Sequence, residues 1–143
     1  MSPDLKSVIR TFDDVLIQAE EDWETIDCFV AEGPFVIKHK GLYYLTYSCN
    51  HTRCVDYAVG YAVSDSPTGP FKKSADNPIL HKFGSIVGTG HHSFMPTEDE
   101  NKFTCIYHCH SDKKDSFKPR QICLAEAEFV SGGSECDRLV IHQ

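Results

Sequence analysis

One carboxylate opens the most regular part of the sequence. Glu32 precedes the turn-forming pair Gly33-Pro34, and a strand-like run, Phe35 to Lys38, follows directly. A carboxylate that is held between a turn and strands is suited to general-acid chemistry. The alternative is that a glutamate before Gly-Pro only solvates a turn, and the spacing alone leaves both interpretations open.

Histidines form the second group of candidate residues. His108 and His110 lie on one face of a predicted strand, because side chains alternate along a strand, and His91 and His92 fall one strand away. Imidazole binds zinc, copper and iron, so a transition-metal site is one hypothesis. For His92, His108 and His110 we favour a polar lining or buried histidines that bond to the backbone, because no carboxylate or cysteine lies at a ligating spacing.

The cysteines show no metal-binding pattern. There are seven of them and no CxxC pair, so a structural zinc site of the usual spacing is disfavoured. In strands, free cysteines behave more often as small buried hydrophobic residues than as disulfide partners. We predict that behaviour for Cys28, Cys49, Cys54, Cys105, Cys109, Cys123 and Cys136.

The elements that position these residues are repeated along the chain. Placing Phe35 on Phe94 gives an offset of 59 residues (94 minus 35), and placing Tyr47 on Tyr107 gives 60 (107 minus 47). Insertions that are confined to connections are typical of repeated sheets. The alignment puts His91 in the position that corresponds to Glu32 (91 minus 59), so both side chains are predicted to face one cavity.

Each copy contains the signals of four short strands. Val59–Ser64 and Gln121–Val130 are predicted third strands, and Phe71–Lys73 and Arg138–His142 are predicted outer strands. Four strands with turns between them describe a β-propeller blade of roughly 40 to 50 residues. The predicted fold is therefore all-β, with about two four-stranded antiparallel blades.

The N-terminal residues fit this pattern less well. Val8–Arg10 and Val15–Ile17 are strand candidates, and we assign them to the last strand of a preceding blade. All parts are expected to belong to one partial propeller domain. The predicted division is residues 1–25 for the preceding blade, 26–83 for the blade with Glu32, and 84–143 for the blade with His91.

Composition narrows the class of partner. The chain has 143 residues and a net charge of −7, which argues against nucleic acid or an acidic membrane surface as partners. No apolar run approaches the roughly 20 residues of a membrane span, and no signal peptide is apparent. We expect a soluble protein, cytoplasmic if the start is genuine, and neutral ligands such as sugars remain open.

Several motifs in one order resemble glycoside hydrolase family 43. The similarity covers nearly the whole chain from about Asp22 to His142. It is carried by Glu32-Gly33-Pro34-Phe35, Gly41 to Ser48, Tyr57 to Phe71, Asn77 to Leu80, Gly88 to Ser93, Tyr107 to His110, and Pro119-Arg120.

The resemblance implies a five-bladed propeller that hydrolyses arabinose- or xylose-containing saccharides with inversion. Glu32 matches the general acid of the family, and Tyr47, His91 and Arg120 are the residues expected to contact the sugar. No cofactor is required, although a structural calcium ion is implied in some relatives, with His91 as its candidate ligand. Such inverting enzymes pair the acid with a base about 6.5 to 9.5 Å away.

The sequence departs from the family pattern in its aspartates. The base and the second aspartate of the family lie on earlier blades, and neither role is transferred to Asp4, Asp13, Asp14, Asp22 or Asp27, which are not in a matching context. Two blades also leave two apolar faces exposed. We therefore expect that a longer enzyme, further copies of the chain or a partner chain completes the propeller. The alternative is a non-catalytic carbohydrate-binding or degenerate module.

Overall fold

The computed structural model describes residues 2–8, 15–132 and 136–143. Its strands form two four-stranded antiparallel sheets, each a simple meander, in the orders β1-β2-β3-β4 and β5-β6-β7-β8. The all-β prediction with four strands per blade is confirmed. The strands are β1 (Ala31–His39), β2 (Leu42–Cys49), β3 (Ala58–Ser64), β4 (Lys72–Lys73), β5 (Gly90–Pro96), β6 (Lys102–His110), β7 (Arg120–Val130) and β8 (Arg138–Ile141).

Local sequence explains the first hairpin. β2 is rich in aromatic and aliphatic residues, and its last six positions are all buried, as befits a strand inside a sheet. β1 and β2 are joined by Lys40 and Gly41, whose φ angles are +46° and +86°. Two left-handed residues in a two-residue loop match the twist of the flanking strands, and glycine adopts this conformation without strain.

The two sheets pack face to face over one hydrophobic core. Phe35 and Phe94 meet edge to face with ring centroids 5.7 Å apart, and Tyr44 and Phe129 do so at 4.7 Å. The buried core residues come from both sheets, so the blades stabilise each other. They include Ile37, Tyr44, Val59, Tyr61, Leu80, Phe94, Cys105, Tyr107, Phe129, Leu139 and Ile141.

The predicted N-terminal strand is wrong at Val15–Ile17, where the structure has no strand. Ile17 and Ala19 instead pack with Tyr47 in a second hydrophobic cluster, so their apolar side chains cover a sheet rather than extend one. The regular element before β1 in residues 2–8 and 15–30 is a short 3-10 helix, Asp22–Glu24. Most of the other candidate, Val8–Arg10, lies outside the described residues.

The described ranges contain no other helix. No helix in them is long and apolar enough to cross a membrane. The two sheets, residues 31–73 and 90–141, fall inside the predicted blades 26–83 and 84–143. The division of the chain into those parts stays a prediction.

The strand pairing corrects the repeat alignment by one residue in the innermost strands. Phe35 pairs with Thr46, and Ser93 pairs with Ile106. Thr46 and Ile106 occupy equivalent positions, because the second strands β2 and β6 are offset by 60 residues (106 minus 46). The innermost strands β1 and β5 are therefore offset by 58 residues (93 minus 35), one fewer than predicted.

The error arose from the two phenylalanines used for the alignment. Phe35 and Phe94 contact each other across the core, so they project from opposite faces of their own blades. Consecutive residues of a strand point to opposite faces, so Phe35 and Phe94 cannot hold the same position in their two blades. Aligning them shifted the innermost strands by one residue. His91 is thus the counterpart of Gly33 (91 minus 58) and not of Glu32.

Candidate active site

Two β-bulges aim the candidate residues. In β1 the pairing shifts directly after Glu32, where Gly33 has a φ of +58°. In β5 it shifts directly after Gly90, where His91 has a φ of +49°. Bulges bend a strand and redirect its side chains, and a left-handed histidine is uncommon. The same bend thus occurs at the start of both innermost strands.

These bends bring Glu32 and His91 together, as predicted. His91 Nδ1 lies 3.9 Å from Glu32 Oε1, and the two side chains are 56% and 39% exposed. The backbone N–H of His91 donates to Ser48 Oγ at 2.9 Å, which fixes the bend of the second sheet against the first. The pair is therefore open to solvent and held by a hydrogen bond between the sheets.

Tyr57 connects this pair to the rest of the site. Its hydroxyl donates to Glu32 Oε1 at 2.8 Å and lies 3.4 Å from His91 Nδ1. Its ring stacks on that of His108, with centroids 5.5 Å apart and planes 7° from parallel. Arg120 completes the row, because its Nη1 donates to His108 Nε2 at 2.9 Å. We call Glu32, Tyr57, His91, His108 and Arg120 the polar array.

The pKa shifts of two members of the array, His108 and Tyr57, indicate where their protons lie. Burial, together with the charge of Arg120 and the neighbouring His91 and His110, lowers the pKa of His108 to about 4. His108 is therefore neutral near pH 7, and its Nε2 is free to accept from Arg120. Burial and the bond to Glu32 raise the pKa of Tyr57, so its hydroxyl keeps its proton and acts as a donor.

Comparison with known proteins decides the family. The model of the family "Glycosyl hydrolases family 43" matches residues 1–134. The chain belongs to glycosyl hydrolase family 43. Its sequence is 29% identical over 102 residues to the beta-D-galactofuranosidase xynD of Aspergillus niger, covering 71% of this chain and 30% of that protein. It is 31% identical over 102 residues to an extracellular exo-alpha-(1->5)-L-arabinofuranosidase of Streptomyces avermitilis, covering 68% and 21%.

Solved family 43 structures share the fold. An endo-1,4-beta-xylanase of Bacteroides thetaiotaomicron superposes with a TM-score of 0.76 at 36% identity, covering 89% of this chain and 42% of that one. A thermostable family-43 glycoside hydrolase gives 0.79 at 37% identity, covering 89% and 40%. The chain thus spans less than half the length of these relatives, and the propeller prediction is confirmed for the part that it contains.

Tyr47 lies apart from the polar array of this family 43 chain. Its side chain is 2% exposed, and its hydroxyl donates to Glu24 Oε1 at 2.7 Å. Burial and the Glu24 carboxylate raise the pKa of this phenol, so the bond persists. Tyr47 and Glu32 both line a cavity of about 210 Å³, but the Tyr47 hydroxyl already donates to Glu24. Its role in sugar binding stays a prediction.

The sequence did not single out Tyr57 as a site residue. Tyr57 stands at the end of a loop, directly before β3, where no periodic pattern marks it. His108 was identified only as a candidate lining or metal residue. The signal that could have found both is their place at the end of the sheet where the innermost strand begins. Tyr57 directly precedes Ala58, which is level with the start of β1 through Cys49, and His108 pairs with Gly90 at the start of β5.

The remaining histidines bond to protein groups. His92 Nε2 lies 2.6 Å from Thr46 Oγ1, and His110 Nε2 lies 3.0 Å from the backbone oxygen of Thr52. Within the described ranges no group of three or more His, Cys, Asp or Glu side chains could hold a metal ion. The two hydrogen bonds and the burial of both side chains agree with the interpretation of His92 and His110 as buried or lining residues.

Calcium takes six to eight oxygen ligands. Near His91 the described side chains offer one carboxylate, Glu32, and two hydroxyls, of Tyr57 and Ser48. Tyr57 already donates to Glu32, and Ser48 accepts from the backbone of His91. These residues do not form a calcium site by themselves. The calcium expectation at His91 stays a prediction that metal analysis tests.

All seven cysteines fall in the described ranges and are free thiols. Cys49, Cys105 and Cys109 are buried, as predicted for small hydrophobic residues, and the other four are partly exposed. Burial raises the pKa of the Cys105 thiol to about 12. A thiol of this kind stays protonated and contributes to packing.

Proposed function

We propose that this chain carries the general-acid side of an inverting glycoside hydrolase that acts on arabinose- or xylose-containing saccharides. The observation that carries the proposal is the state of Glu32. It is the family-matched carboxylate, it is partly exposed, and one of its oxygens is held by Tyr57. The substrates named for the related enzymes support the choice of sugar.

The geometry suits proton donation to a leaving group. Tyr57 holds Oε1 of Glu32, and among the described residues no group bonds to Oε2, which can carry the proton toward the glycosidic oxygen. When that proton leaves, the hydrogen bond from Tyr57 stabilises the carboxylate that forms. The exposed imidazole of His91 and the guanidinium of Arg120 stand nearby as partners for sugar hydroxyls.

Inverting hydrolysis also needs a base that activates water. In the described residues, no carboxylate other than Glu32 bonds to a member of the polar array. We propose that the aspartate base comes from a further part of the polypeptide or from a partner chain that completes the propeller. The short span of the chain relative to its relatives supports this arrangement.

A second function follows from the same observation. A site with an acid but without a base can still bind sugar, so the chain by itself would act as a carbohydrate-binding module. Arg120 and His91 would then supply the contacts, and Glu32 would be one more polar ligand. Hydrolysis separates the two functions, because only the first requires a proton from Glu32.

The test is hydrolysis of arabino- and xylo-oligosaccharides by a completed propeller, in which this chain is joined to the polypeptide that supplies the base, because an unactivated sugar leaving group needs a proton and a nitrophenolate does not. Glu32→Gln should lower the rate by about 10² or more, because general-acid catalysis contributes about 10² to 10⁴. Glu98→Gln changes another exposed glutamate and is the matched control, with no change expected. Equal rates for wild type and Glu32→Gln contradict the proposal. Binding without turnover in the completed wild-type propeller assigns the second function.

A further inference from the structure

We propose that the cavity beside Arg120 is a subsite for a carboxylate-bearing sugar, a uronic acid unit of the saccharide. The cavity has a volume of about 360 Å³ and is lined by Thr52, Arg53 and residues 116–120. The inference rests on the proposed function, because it assigns the class of sugar that the same site accepts.

The charge of the lining is opposite to that of the whole chain. The chain has a net charge of −7, yet the cavity is lined by three cations, Arg53, Lys118 and Arg120, and by no carboxylate. Lys118 is neutralised by Asp112, whose Oδ2 lies 2.6 Å from its Nζ. The positive charge that faces the cavity therefore comes from the two arginines.

Both arginines lack an acidic partner in the part of the chain that the structure describes. Neither Arg53 nor Arg120 has a carboxylate oxygen within 4.0 Å, whereas Arg138 lies 3.9 Å from Asp76. A guanidinium group carries five N–H donors in a planar fork that matches a carboxylate. Two such groups beside one cavity form a receptor for a carboxylate.

Phe117 gives the cavity an exposed aromatic surface on which a sugar ring can stack. Its side chain is 77% exposed, and the guanidinium carbon of Arg53 lies 4.1 Å from the centre of its ring. The stacking holds Arg53 in place through a cation–π contact. The exposed aromatic face offers an apolar platform for the C–H face of a pyranose, beside the charge that binds its carboxylate.

Arg120 joins the cavity to the polar array. Its Nη1 donates to Thr52 Oγ1 at 2.8 Å and to His108 Nε2 at 2.9 Å, so the guanidinium is fixed between the two. Its remaining N–H groups form no hydrogen bond to the described residues. A saccharide that reaches Glu32 can therefore place a neighbouring, acidic unit against Arg120, Arg53 and Phe117.

Calorimetric titration of the chain tests the subsite without any need for turnover. The ligands are xylotriose that carries one glucuronic acid unit, the methyl ester of the same compound, and inorganic phosphate. We expect the acid to bind about tenfold more tightly than the ester, because the ester keeps the shape and removes the charge. In Arg53→Gln the acid should bind within about twofold of the ester.

Arg138→Gln is the matched control, since it removes the same charge elsewhere on the surface, and it should keep the tenfold preference. Equal binding of acid and ester overturns the inference, as does an equal loss in Arg138→Gln. Phosphate that binds as tightly as the acid also overturns it, because the cavity is then a general anion site. Absence of binding by all three ligands overturns it too.

The two proposals fail separately. Equal binding of acid and ester removes the subsite and leaves sugar binding and Glu32 chemistry intact. Unchanged hydrolysis in Glu32→Gln removes the proposed acid, whereas a preference for the acid over the ester that depends on Arg53 would still stand.

Discussion

Glu24 and Glu32 are the same residue type in two opposite environments. Glu24 is fully buried and accepts four hydrogen bonds, from two backbone amides at 2.8 and 2.9 Å, from Tyr47 at 2.7 Å and from Lys73. Glu32 is partly exposed and accepts one, from Tyr57. The first carboxylate is saturated with donors, and the second keeps an oxygen available.

The difference separates a structural carboxylate from the proposed general acid. Burial alone would raise the pKa of Glu24, but the hydrogen bonds from the amides of Glu20 and Glu21, from Lys73 and from Tyr47 hold it below its usual range. Glu24 therefore stays ionised and ties the segment before β1 to the first sheet. A carboxylate that must release and regain a proton cannot be held in this way.

Removing the buried charge should have the largest effect. Glu24→Gln leaves Lys73 without its acidic partner in a site where the lysine side chain is 16% exposed. We expect the free energy of unfolding to fall by about 3 kcal/mol, in the range for a broken buried ion pair. Glu32→Gln should change it by less than about 0.5 kcal/mol, as a surface substitution does. Urea unfolding measures both, and equal losses would abolish the distinction.

Acid should weaken the structure through Glu24. Because the pKa of Glu24 is lowered on folding, its contribution to stability is complete above the unfolded value of 4.5 and is lost as pH falls through the folded value. The acid limb of a stability curve should be shallower in Glu24→Gln than in the wild type, and an equal slope would contradict the lowered pKa of Glu24.

Two histidines supply a background slope in the same measurement. Burial lowers the pKa of His92, and of His108 together with nearby charges, from 6.5 to about 4 in both cases. Between these values the unfolded chain binds more protons, so stability falls as pH drops from 6.5 to 4. This slope should appear in the wild type, in Glu24→Gln and in Glu32→Gln. A wild type with flat stability over that window would contradict the buried neutral histidines.

Removing the hydroxyl of Tyr47 or of Tyr57 should have the smallest effect on stability, and the two losses should differ. Tyr47→Phe removes one donor from a buried carboxylate, and we expect a loss of about 1.5 kcal/mol. Tyr57→Phe removes the donor of a partly exposed carboxylate that water can reach, so a loss of about 0.5 kcal/mol is expected. Thermal unfolding of the two variants side by side provides the comparison. A larger loss for Tyr57→Phe would mean that Glu32, too, is held for stability.

The sequence predicted the strands well because their patterns are local. The third strands were predicted as Val59–Ser64 and Gln121–Val130, and they are β3 and β7 within one residue at each end. Val15–Ile17 has the same β-branched composition but no neighbouring strand, and Ile17 packs on a sheet face instead. Composition therefore indicates which segments prefer to extend, while pairing depends on the rest of the fold.

The site was predicted only in part, for a different reason. The repeat placed Glu32 and His91 at the same end of the two sheets, although its alignment was one residue out, because bends at strand starts repeat with the strands. Tyr57 could not be found, since its bond to Glu32 depends on the path of a loop. The sequence also gave no sign that Glu24 accepts from the Tyr47 hydroxyl, because Glu24 lies 23 residues away in a segment with no strand pattern.

Gly33 and His91 occupy the same backbone bend in the two sheets. A Cβ placed on Gly33 would lie 3.5 Å from the ring of His91, at van der Waals contact, so the side chain of the second bend packs directly beside the backbone of the first. A duplicated scaffold thereby presents two unlike walls, with an acid on one side and an imidazole on the other. The surface is asymmetric although its backbone frame is repeated, and an asymmetric surface can distinguish the two faces of a chiral ligand.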